Sequence, residues 1–70
     1  MITDAEIEDF FTYHAPTGNQ PERYQLIRDT AKVLAHVIVT HTQPSADQTA
    51  AIRKLRECVM TANAAIALEK

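Results

Sequence analysis

Three aromatic rings and a histidine stand close together early in this chain, at Phe10, Phe11, Tyr13 and His14, ahead of Ala15-Pro16 and a loop that ends at Pro21. A ring held at the junction of a short helix and a Pro-rich loop is free to stack on a flat ligand such as a nucleobase, at about 1–3 kcal/mol per base. Phe10 and Phe11 are the rings that would glue the short helix to the rest of the fold. Tyr13 is left as the ring for ligand contact. Farther on, Arg28 and Lys32 lie one helical turn apart and place two cations on one face, with guanidinium geometry suited to phosphate. The same spacing also describes an ordinary solvated face.

The remaining candidates carry less chemistry. His14, His36 and His41 lack the i, i+4 spacing or the Cys and carboxylate company of a metal site, so no metal is expected. His36 reads as a helix-surface residue and His41 as a helix C-terminal one that favours the dipole. Cys58 is the sole cysteine, which excludes an internal disulfide, and it is expected as a small buried residue beside the core seam. Arg53, Lys54, Arg56 and Glu57 read as the solvated face of an amphipathic helix. No Ser/His/Asp spacing, Cys-His pair or glycine-rich phosphate loop is present, and so short a chain shields a reaction poorly. The expectation is a binding protein, not an enzyme, with no cofactor.

The chain that must position these residues has 70 amino acids, 46% of them hydrophobic, and a net charge of −2. One small domain is all that such a length holds, and its core alone supplies only a few kcal/mol. The acidic start and the lack of a long apolar run suit neither a leader nor a membrane span. Residues 1–22 carry five acidic side chains and no Lys or Arg, whereas residues 23–70 carry all 7 basic residues against four acidic ones. That balance argues against general DNA or RNA binding, which needs a basic footprint. A small anion can still find a local cationic pocket in the later part.

Thr3-Asp4-Ala5-Glu6 has the form of a capping box and predicts a short first helix over about 3–12. Pro16 and the only glycine, with Pro21 just beyond at the start of the next helix, mark a loop over 13–20. Tyr24, Ile27, Ala31, Leu34, Ala35 and Ile38 then repeat at three- and four-residue steps and predict a helix over about 21–40. Leu26, Val33 and Val37 fall off that stripe, more apolar circumference than one partner helix can cover. Pro44 closes a turn over 41–44, Ser45 and Gln48 form a second capping box, and Gln48, Ile52, Leu55, Val59, Ala62 and Ile66 mark the seam of a helix over about 45–69. The expected fold is all-α: a short helix, then a long antiparallel helical hairpin. Its surplus apolar flank calls for assembly as a homo-oligomer.

The string Tyr13-His14-Ala15-Pro16 with Gln20 belongs to a wider pattern. It continues in Ile27-Arg28, Ala31-Lys32 and Leu34-Ala35, in Pro44 and Gln48, and in Ala51-Ile52-Arg53-Lys54-Leu55-Arg56-Glu57 with Ala62-Asn63-Ala64-Ala65-Ile66-Ala67. Over about residues 10–67 it resembles the phage anti-CBASS hairpin proteins, which share their domain with the anti-Thoeris sponges. The resemblance implies a phage protein, working in the host cell cytoplasm, that sequesters cyclic oligonucleotide second messengers of bacterial immunity without cleaving them. It further implies a homohexamer of hairpins with cyclic dinucleotides such as 3′,3′-linked cyclic GMP-AMP enclosed at pairwise interfaces.

By position, Tyr13 would stack on a base and Arg28 would pair with a phosphate, with His14 and Lys32 completing the dinucleotide-binding set; Asn63 also matches the pattern. In some members a separate pocket takes cyclic trinucleotides, and Thr30 falls where a helix hydroxyl contributes to it. The basic residue associated with that pocket is replaced here by Leu68-Glu69-Lys70, in which only Lys70 is basic. Dinucleotides are thus the better supported ligand. The alternative reading is a helical-hairpin module that binds another protein through its apolar flank and binds no nucleotide.

Overall fold

In a computed structural model that describes residues 1–70, the chain forms α1 (Asp4–Phe11), α2 (Gln20–His41) and α3 (Ala46–Ala67), with no strand. The Thr3 hydroxyl accepts from the Glu6 amide at 3.1 Å while the Glu6 carboxylate accepts from the Thr3 amide at 3.2 Å, so the first capping box is complete. In the loop, Gly18 takes φ +55° with nothing within 4 Å of the place a Cβ would occupy. Conformation, not crowding, calls for glycine there.

At Ser45 only half of a capping box forms: its hydroxyl accepts from the Gln48 amide at 3.1 Å. The Gln48 side chain does not return to Ser45. It donates instead to the Thr42 carbonyl at 3.2 Å and the Thr42 hydroxyl at 3.0 Å, because the end of α2 leaves acceptors without helical donors. The turn is thereby stitched to α3 by the residue that opens the seam.

Packing runs between α2 and α3. Every seam residue of α3 from Gln48 to Ala62 is half-buried, and Ile66, at 5% exposure, is the one fully buried residue of the chain. On α2, Tyr24, Ile27, Ala31, Ala35 and Ile38 face the seam, but Leu34 is exposed at the edge of the stripe. Leu26, Val33 and Val37 are exposed as well. Contrary to expectation, the two phenylalanines do little to glue α1 to the hairpin: Phe11 is 84% exposed, and Phe10, 51% exposed, only lines one depression together with Ala64 and Ala67 of α3. The register of Phe11 directs it away from the hairpin.

The shape follows from having two helices and no third to cover them. The molecule measures 44 × 31 × 14 Å, and its thinnest dimension is about one helix with its side chains. Its radius of gyration is 15.3 Å, against about 11 Å for a compact chain of this length. The accessible surface is 5775 Å², about a third more than a folded monomer of 7.8 kDa exposes. One chain supplies one layer, whereas stable domains are built from at least two.

Candidate ligand-binding site

The periodicity that buries Ala31 and Ala35 against α3 also fixes where Arg28 and Lys32 point. Both stand three residues before a seam alanine, on the rim of a groove of about 410 Å³ along one side of the hairpin. Its floor is apolar, made by Ala31 and Ala35 from α2 and by Leu55 and Val59 from α3. Arg28 donates to the Gln25 side-chain oxygen at 3.0 Å, and Gln25 donates in turn to Asp29 at 2.8 Å. Neither Arg28 nor Lys32 forms an ion pair, since the protein's two ion pairs lie elsewhere. Two cations thus border an apolar trough with no carboxylate to neutralise them.

Tyr13 and His14 occupy a second depression, of about 470 Å³, between α1 and the end of α3, where Ala64 and Ala67 form one wall. The Tyr13 ring is 83% exposed and makes no hydrogen bond that fixes it. His14 is half-buried, and its Nε2 donates to the Asp9 carbonyl at 2.7 Å. The imidazole therefore caps α1, and only its other nitrogen and ring face are left for a ligand. Arg28 lies eight residues into α2, about 12 Å along the axis from Gln20. Within one chain, Tyr13 and Arg28 line separate depressions.

The loop that carries Tyr13 is pinned at both ends. The Gln20 side-chain oxygen accepts from the Thr17 amide at 3.0 Å while its nitrogen donates to the Ile66 carbonyl at 3.0 Å. Arg23 grips Glu69 with two bonds, of 2.8 and 2.6 Å, and Lys70 reaches Asp9 at 2.9 Å. The hydrogen bond from Lys70 holds the Asp9 carboxyl below the usual carboxylate range, and the bonds from Arg23 do the same for Glu69. These contacts tie α1 and the loop to the C-terminal turn of the hairpin.

Thr30 faces the other side of the hairpin, in a groove of about 270 Å³ with Leu26, Leu34 and Cys58. Its hydroxyl donates to the Leu26 carbonyl at 2.8 Å, so toward a ligand it can act only as an acceptor. Cys58 is exposed there instead of buried as expected, because nothing in the chain covers this flank. Lys70, the one basic residue near the end of α3, is held by Asp9 at α1 and takes no part in lining this groove.

Arg56 is the residue that sequence reasoning assigned elsewhere. It was grouped with Arg53 and Lys54 as solvated, yet it borders the groove of Arg28 and Lys32. Its spacing, four residues after Ile52 and four before Met60, which both line the same groove, is the signal that separates it from that face. Asn63 is half-buried beside the seam, and its side-chain oxygen is buried without a partner.

A two-helix hairpin with cationic and aromatic depressions and no covering layer describes a class of small ligand-binding helical proteins. The comparisons narrow it. The model of the Acb2/Tad1 hairpin domain matches residues 3–67, nearly the whole chain, and this protein belongs to that family, the anti-CBASS and anti-Thoeris sponges. No curated protein and no solved structure matches it. No helix is long and apolar enough to cross a membrane.

Proposed function

We propose that this protein captures cyclic dinucleotides of bacterial CBASS immunity, such as 3′,3′-linked cyclic GMP-AMP, and withholds them from their effectors without degrading them. The observation that carries this reading is the pair Arg28 and Lys32, unneutralised, beside an apolar trough. Cations on such a rim take the phosphodiesters, and the trough takes ribose or base. Tyr13 supplies a freely exposed ring for stacking. Capture is stoichiometric and requires no reacting group, so the protein is not an enzyme.

The site needs more than one chain. Tyr13 and Arg28 line different depressions of a single hairpin, and a second copy would bring the ring of one to the cations of the other. A two-fold ligand then meets a two-fold interface. The surplus of about 1,400 Å² over a compact monomer is of the size one chain buries on two neighbours. A homo-oligomer, hexameric as in the family, working in the host cytoplasm, is the corresponding assembly. His14 contributes by holding the loop under Tyr13. Cyclic trinucleotides would use the Thr30 groove; with Lys70 held by Asp9, their binding is the weaker of the two.

Isothermal titration of wild type, Tyr13→Ala and Arg28→Ala with 3′,3′-linked cyclic GMP-AMP tests this reading. Binding that both substitutions weaken supports it, and indifference to both refutes the site. Exposed Leu26, Val33 and Val37 favour a second reading, a protein-interaction module. It predicts no nucleotide binding at all and capture of a protein partner that Val33→Glu abolishes.

A further inference from the structure

We infer that Arg56 is a third phosphate-binding cation, which reaches the ligand groove from α3, across from Arg28 and Lys32. This rests on the cyclic-nucleotide reading of the groove. Arg28 and Lys32 come from α2, and Arg56 follows Leu55 on α3, so the three cations border the trough from both helices. No carboxylate lines the groove, and Arg56 forms neither an ion pair nor a side-chain hydrogen bond. Three like charges above an apolar floor repel one another, and an anion seated between them relieves that repulsion.

The chemistry of the ligand matches this layout. A cyclic dinucleotide carries two anionic phosphodiesters on opposite sides of one ring, and a single i, i+4 pair on α2 addresses one edge of it. A guanidinium on α3 addresses the other edge, and its planar donors grip phosphate oxygens in a way an ammonium does not. Alanines at 31 and 35 keep the floor low enough for ring atoms to approach. Arg53, three residues earlier, lines an adjoining polar depression with Gln48 and Thr49, which Arg56 also borders, but Arg53 is absent from the groove of Arg28 and Lys32. It carries the same charge on the same helix and serves as the internal control.

The test is titration of wild type, Arg56→Gln, Arg56→Lys and Arg53→Gln with 3′,3′-linked cyclic GMP-AMP at low and at physiological salt, with helicity and melting followed in parallel. Expected are binding by wild type, a loss of roughly ten- to hundred-fold with a flatter salt dependence for Arg56→Gln, and a smaller loss for Arg56→Lys. Arg53→Gln should stay within about two-fold of wild type. Arg56→Gln equal to wild type in affinity and salt dependence overturns the role of Arg56 and leaves the sponge reading intact. An equal loss in Arg53→Gln and Arg56→Gln also overturns it, since the effect is then one of overall charge. Failure of wild type to bind overturns both.

Discussion

Tyr13 is the side chain at which a ligand role is most cleanly separated from a structural one. Its ring is 83% exposed, so nothing in the folded chain depends on it. Tyr13→Ala should leave helicity and melting unchanged while weakening cyclic dinucleotide binding by about 1–3 kcal/mol per stacked base, read by titration. Arg28→Ala should weaken binding and reduce its salt dependence, because a charge-assisted contact is screened by ions and an apolar one is not. The placement of both was legible from type and spacing alone, the free ring from its position beside a Pro-rich loop and the shared groove rim of Arg28 and Lys32 from their single turn of separation. Arg56 was not, because a helical face holding Arg53, Lys54 and Glu57 looks uniformly solvated until the partner helix shows which member overhangs the groove. The exposure of Cys58 was hidden for the converse reason: a position beside the seam reads as buried only if something covers it.

At the scale of the element, the loop between α1 and α2 is held by a few polar contacts and little apolar packing. Gln20 joins it to the end of α3 through Thr17 and the Ile66 carbonyl. Gln20→Ala should cost about 1 kcal/mol, several degrees in melting temperature, by leaving the Thr17 amide without a partner and the Ile66 carbonyl with only the Glu69 amide at 3.2 Å, and calorimetry measures this. The ion pairs add a pH dependence of defined sign. Asp9 and Glu69 are depressed by Lys70 and Arg23, so their contributions are complete above the ordinary carboxylate range and are lost as pH falls through the lowered values. Melting followed against pH should therefore be flat near neutrality and decline only in acid. Asp9→Asn should remove part of that decline, and a decline already present at neutral pH would contradict the assignment. The helices were foreseen from caps and periodicity, but not that Gln48 would abandon its own cap for the carbonyl end of α2. That choice depends on acceptors that only the closed turn brings near.

The whole molecule is one layer, 14 Å thick, with a single fully buried residue. Surplus apolar positions such as Leu26, Val33 and Val37 were visible in the sequence as departures from the stripe. How much surface they would leave bare was not, since that depends on how little α1 covers. We expect light scattering to find an oligomer at micromolar concentration, with Val33→Glu or Leu26→Glu shifting it toward smaller species of lower melting temperature. The most direct test of the central claim is titration of the wild-type protein with 3′,3′-linked cyclic GMP-AMP, followed by heat release and chromatography of the bound nucleotide. Saturable binding with one ligand for two chains and recovery of the intact nucleotide is the predicted result. Absence of binding, or release of a cleaved product, would contradict it.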